Sequence, residues 1–210
     1  MKINLLYKFL LTAFIGGILC SCNTEPRQGN KNDSAIVPAG KIDLTNPLSQ
    51  MDKSPMDMQY FPVDYSKLKM LGKSEPLPYA RVIFSRPQKN GRKIFGNVVK
   101  YGEPWRLGAN EATEIEFFRD AIIQNQKIPQ GRYIIYCIPQ QDKWTIILNK
   151  DLFTWGLKID RTKDVYKFDI PVTRLNAPIE VFSMEFENAK DGANLLMGWD
   201  DVKTILSISF

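Results

Sequence analysis

Prolines and glycines, 13 of each, are scattered so that no stretch of ten or more residues keeps a helical period unbroken. Proline removes a backbone donor and blocks a helix interior, and glycine costs a helix about 1 kcal/mol relative to alanine. Between these breaks lie short runs rich in aromatic and β-branched side chains, which pack well on a pleated surface. Tyr79–Ser85 alternates Ala80, Val82 and Phe84 with Tyr79, Arg81 and Ser85. Thr113–Phe118, Ala121–Ile123, Arg132–Ile138, Trp144–Asn149, Tyr166–Val172, Ile179–Glu187, Ala193–Trp199 and Thr204–Phe210 follow, divided by turn signals such as Asn176-Ala-Pro178 and Lys190-Asp-Gly192. The spacing predicts an all-β domain, an antiparallel β-sandwich with a closed β-barrel as the alternative.

The chain begins differently. Lys2 and Lys8 flank the start of an apolar run, Phe9–Leu19, of about eleven residues. A bilayer-spanning helix needs about 20, so this reads as the core of a signal peptide. It ends in Leu19-Cys20-Ser21-Cys22, which resembles the bacterial lipobox and implies cleavage after Ser21 and acylation of Cys22. The expected organisation is a signal peptide at 1–21, a flexible polar tether at 22–47, an extended arm at 48–78 packed on the domain, and a β-domain at 79–210. About 25 flexible residues reach roughly 25–30 Å. The arm is too apolar for a free linker, with Met51, Met56, Met58, Tyr60, Phe61, Tyr65, Leu68, Met70 and Leu71, and Ser54–Pro62 is its expected anchor. This predicts an exported protein, lipid-anchored to the bacterial cell envelope on its periplasmic or outer-membrane face, with the membrane as a partner through Cys22.

Composition narrows the chemistry. With Lys2 and Lys8 in the leader, 26 of the 28 basic residues remain against 23 acidic ones, a surplus of 3 and too small to argue for nucleic acid. Removal of Cys20 and acylation of Cys22 would leave Cys137 alone, so no intramolecular disulfide is expected. Cys137 lies in the strand-like Tyr133-Ile-Ile-Tyr-Cys-Ile138 and reads as a small buried apolar residue. The chain has no histidine, which removes Ser-His-Asp and Cys-His catalysis and histidine-ligated metals together. No cofactor or metal is expected, and the chain leans away from enzyme chemistry.

One segment, Ser85–Thr113, has no sustained period. It carries Gly91, Gly96, Gly102 and Gly108, two prolines, Trp105, and six basic side chains against Glu103 and Glu111. Long irregular segments inside compact domains are uncommon and often functional. Trp105, Arg106, Asn110 and Glu111, with Arg86, Arg92 and Lys93 from the preceding turn, are the candidate ligand-binding residues. A tryptophan face with neighbouring donors and acceptors suits a polar or anionic ligand, a carbohydrate among the candidates. The competing reading places Trp105 in the core, pairs Arg106 with Glu111, and makes the basic run a solvated hairpin turn. A histidine-independent hydrolase or lyase using Glu111 with Arg106 is a second alternative, and a structural or partner-docking protein with an apolar patch on its Met-rich arm a third. Glu114 and Glu116 fall on one side of their strand and read as its wet face. Trp144, Trp155 and Trp199 are expected to fill the core.

Ser85-Arg-Pro-Gln-Lys-Asn-Gly-Arg-Lys-Ile-Phe-Gly96, Trp105-Arg-Leu-Gly-Ala-Asn-Glu-Ala-Thr113, Ile128-Pro-Gln-Gly-Arg-Tyr133 and Trp144-Thr-Ile-Ile-Leu-Asn149 together resemble the bacterial family called domain of unknown function 2911. The likeness extends to Trp155-Gly156 and the carboxy-terminal strands, from about Met56 onward. It departs at Leu107, where the family commonly has Thr, and at Ile135-Tyr136-Cys137. The resemblance implies an exported, often lipid-anchored β-domain and supplies no activity or ligand.

Overall fold

A computed structural model describes residues 52–210. The expected signal peptide, the tether, Cys22 and the start of the arm lie outside the described residues. In chain order the elements are β1 (Met56–Phe61), α1 (Tyr65–Met70), β2 (Ala80–Ser85), β3 (Glu114–Phe117), β4 (Ala121–Ile123), β5 (Gln126–Ile128), β6 (Gly131–Pro139), β7 (Lys143–Asn149), β8 (Asp164–Ala189) and β9 (Gly192–Ser209), with a 3-10 turn at Arg161–Lys163. The strands pair antiparallel in one sheet, ordered β1-β2-β3-β6-β7-β8-β9-β4-β5, which does not close into a barrel.

β8 makes this one sheet into two layers. Its first part, Asp164–Pro171, pairs with β7, and the remainder, from Val172 to Ala189, pairs with β9. The sheet therefore folds over on itself, and the two inner faces meet through aromatic rings. Phe61 packs on Phe186 and Phe210 with ring centroids 6.0 and 5.6 Å away, and Phe84 meets Phe182 at 5.9 Å. Each such ring, fully buried, contributes about 1.5–3 kcal/mol relative to an exposed one.

The runs expected as separate strands at Tyr166–Val172 and Ile179–Glu187 are one continuous strand, and so are those at Ala193–Trp199 and Thr204–Phe210. The turn residues between them produce irregular pairing in place of a reversal. Register shifts fall between Arg174 and Ile179 and between Ile179 and Ser183, a stretch that accommodates Pro178 without a ladder bond. Opposite them Asp200 takes a left-handed φ of 51°. The predicted arm is more integral than a cover: Met56–Phe61 is the edge strand of the sheet, paired with β2 from Met56↔Ser85 to Phe61↔Ala80.

The centre of the first layer is buried on both faces. Tyr133, Ile135 and Cys137 point into the core, while Ile134 and Tyr136 on the opposite face of β6 are also at most 1 % exposed. On β7, Ile147 and Asn149 are likewise buried on that outer face. Two loop segments, 105–113 and 150–163, shield it. The Tyr136 hydroxyl donates to Asp164 Oδ1 at 2.8 Å, and Asn149 Nδ2 donates to the same oxygen and to the Asp160 carbonyl. The loops also meet each other, through Ala112 N–H donating to the Thr154 carbonyl.

Candidate functional site

The Ser85–Thr113 segment first extends β2 across the seam between the layers. Gln88 bridges to Val181, Phe182 N–H donates to the Pro87 carbonyl at 2.9 Å, and Lys89 N–H donates to the Glu180 carbonyl at 2.7 Å. Asn90 and Gly91, both left-handed, make the turn. Ile94, Phe95 and Val99 then plunge into the core.

The predicted basic residues have different partners. Arg86 donates through Nη1 to Asp57 Oδ2 and through Nη2 to Ser183 Oγ, both at 2.9 Å, and so ties β1 to β8. Arg92 folds back on its own turn, donating to the Lys89 and Gln88 carbonyls. Lys93 is exposed. Lys89 Nζ lies 3.6 Å from Asp200 Oδ1, whose other oxygen accepts from the buried Ile94 N–H.

Trp105 enters a cage of rings. It stacks on Trp199 and meets Phe95, Trp144 and Phe182 edge-on, with centroids 5.1–5.9 Å away. Its backbone pairs with Cys137 in both directions, and Nε1–H donates to the Gly108 carbonyl at 3.2 Å. Asn110, left-handed at φ 56°, turns to the arm and donates to Asp52 Oδ2 at 2.6 Å. Glu111 is exposed. The four groups expected to converge thus point to the core, the arm and solvent, and Arg106 and Glu111 form no ion pair.

Arg106 alone reaches the outer face, beside the 150–160 loop. Its Nη1 contacts the Trp155 carbonyl at 3.5 Å, and its Nε is buried without a hydrogen-bond partner. Among the described residues no carboxylate pairs with it, and burial pulls the guanidinium below its ordinary pKa. Gly156 makes this approach close: at φ 78°, a Cβ there would come within 2.9 Å of Ala112 Cβ and 3.1 Å of Arg106 Cβ.

The loop that presses on Arg106 carries features missed by the sequence reading. Trp155, expected in the core, is 49 % exposed. Phe153 is 81 % exposed and holds a φ of 61°, a backbone conformation unusual for a bulky residue and often associated with functional sites. The Arg132 guanidinium sits 5.2 Å from the Phe153 ring centroid and donates to Glu114 Oε2 at 2.6 Å. Arg81, Glu116 and Arg132 share one rung of the same outer face, and Arg81 pairs with Glu116. Glu114 and Glu116 are thus held by arginines on a half-buried surface. Three guanidinium groups and two carboxylates lie on this face, bordered by two exposed aromatic side chains. Chemically, the arrangement offers a charged donor set for an anion and flat apolar faces for stacking.

Sequence order hides this grouping, since Arg106 and Trp155 are 49 positions apart. The available signal was a second irregular stretch, Asp151–Asp160, holding Phe153, Trp155 and Leu157 without strand alternation.

No curated protein and no solved structure matches the chain. Residues 67–208, about two thirds of the sequence, match the family described as protein of unknown function (DUF2911), and the chain belongs to that family.

Proposed function

We propose that this protein is a cell-envelope lipoprotein, anchored through acylated Cys22, whose β-domain binds a small anionic or polar ligand on the outer face of its first layer. Arg106, Trp155, Phe153 and Arg132 are the binding residues in this reading. Of the loop residues singled out from sequence, Arg106 is retained as a direct contact and Trp105 and Asn110 shape the loop that carries it, whereas Arg86 is engaged elsewhere, between Asp57 and Ser183. The observation that carries the reading is the half-buried, carboxylate-free Arg106 guanidinium, which reaches the backbone carbonyl of the half-exposed Trp155. A desolvated cation without a counter-charge is costly, and an incoming carboxylate, sulfate or phosphate would relieve that cost. A sugar acid combines such a group with an apolar ring face suited to Trp155, so it is the favoured class.

A thermal-shift panel of neutral sugars, uronic acids, sulfate and phosphate tests this. At least one anionic compound should stabilise the wild type and lose that effect with Arg106→Ala. Equal stabilisation of both proteins, or none across the panel, would count against the site. The anchor is tested separately by the intact mass of the membrane-extracted chain, which should carry acyl groups at Cys22.

A further inference from the structure

The connection between β1 and β2, residues 62–79, leaves several of its apolar side chains outward. Tyr65 is its internal pin: the ring is buried, and the hydroxyl donates to the Glu75 and Pro76 carbonyls at 3.1 and 2.8 Å. That clasp fixes the shape of the excursion. Gly72, left-handed at φ 67°, ends α1, and Lys73 N–H returns to the Leu68 carbonyl at 2.9 Å. Yet Met70 is 78 % exposed, Leu77 56 %, Leu71 51 % and Val63 37 %. Beside them stand Lys67, Lys69 and Lys73, all exposed, against Asp64 and Glu75. A shaped projection that leaves methionine and leucine in solvent among lysines has the chemistry of an interfacial membrane contact.

We infer that this excursion docks on an anionic bilayer surface, with Met70, Leu71 and Leu77 entering the headgroup boundary and the three lysines facing lipid phosphates. The inference rests on the acyl anchor proposed above. The tether enters the domain at the other end of β1, a strand of six residues, or about 20 Å. About 30 residues separate Cys22 from Asp52, and a flexible segment of that length reaches roughly 30 Å, enough for the excursion to touch the same membrane. Docking would hold the first layer at a fixed height and restrict how the domain swings on its tether.

The test uses the full chain purified from membranes and reconstituted in phosphatidylcholine vesicles with or without phosphatidylglycerol. A Met70→Cys variant carries an environment-sensitive fluorophore, and a Gln141→Cys variant carries it on the β6–β7 turn at the far end of the layer. Nitroxide-bearing lipids should quench the label at 70 about twofold or more above that at 141, and the difference should shrink without phosphatidylglycerol or with Lys67→Glu, Lys69→Glu and Lys73→Glu combined. Equal quenching at both positions overturns the docking while leaving the anchor intact. If the intact mass shows no acyl group at Cys22, the anchor reading fails first. Flotation of that unacylated chain then decides the docking: co-migration with phosphatidylglycerol vesicles, abolished by the lysine substitutions, supports it, and its absence overturns it.

Discussion

Trp105 stacks on Trp199 with ring centroids 5.8 Å apart and planes 22° from parallel, which commits the central indole of the long glycine-rich segment to the joint between the layers. Four ring contacts and a two-way backbone pairing with Cys137 make Trp105 a keystone for the loop. Trp105→Ala should cost about 3–5 kcal/mol of unfolding free energy, measured by urea denaturation followed by circular dichroism. A loss below about 1 kcal/mol would mean that the cage collapses around the missing ring or that the indole is placed elsewhere in solution.

Gly156 gives a second prediction. A methyl group there meets Ala112 and Arg106 side chains at 2.9 and 3.1 Å, on a backbone with φ 78°. Gly156→Ala should destabilise the domain by about 1–3 kcal/mol and raise hydrogen exchange at Ala112 N–H, which donates to Thr154 across the loop contact. Wild-type exchange at Ala112 in this variant would show that the loops are not wedged together there.

Asp200 ties the basic turn to the strand opposite. Its Oδ2 accepts from the buried Ile94 N–H at 3.1 Å, and its own φ of 51° suits a short polar side chain better than alanine. Asp200→Ala should lose about 1–3 kcal/mol by orphaning that N–H, whereas Asp200→Asn, which keeps an acceptor and the tolerance for left-handed backbone, should lose less. Equal losses would assign the effect to the Lys89 ion pair instead, since both variants remove the charge.

The polar cluster beneath the 150–163 loop sets a limit in alkali. Burial, together with the Asp164 carboxylate that its hydroxyl bonds, raises the Tyr136 pKa well above the ordinary tyrosine value. A group whose pKa is higher folded than unfolded adds stability that is full below the unfolded pKa, about 10 here, and lost as pH rises beyond it. Unfolding free energy should therefore fall above about pH 10. Tyr136→Phe should flatten that fall while lowering stability at neutral pH by about 1 kcal/mol for the lost bond. An unchanged alkaline slope in Tyr136→Phe would exclude this tyrosine as its source.

The local pattern of strands was legible in the chain where alternation and turn residues act within a few positions. Ala121–Ile123 matches β4 end for end, and the predicted run Trp144–Asn149 falls one residue short of β7. Asn176-Ala-Pro178 was misleading because a turn signal and a strand irregularity use the same residues: Pro178 lacks a donor in either case, and only the pairing partner decides whether the chain reverses. Of the residues in the proposed outer-face site, Arg106 is the one the sequence singled out. Arg132, Phe153 and Trp155 reach it through sheet register and the packing of one loop on another, neither of which leaves a local pattern in the sequence. Trp105 and Trp155 look alike in composition, yet the first is caged by rings and the second is half in solvent.

Calorimetric titration of the purified protein with a uronic acid, comparing wild type, Arg106→Ala, Trp155→Ala and Arg86→Ala, addresses the recognition claim most directly. A charge-assisted bond to Arg106 and stacking on Trp155 should each be worth tenfold or more in Kd, about 1.4 kcal/mol, while Arg86→Ala, already occupied by Asp57 and Ser183, should bind as the wild type does. Wild-type affinity in Arg106→Ala, or an equal loss in Arg86→Ala, would contradict a ligand site on the outer face.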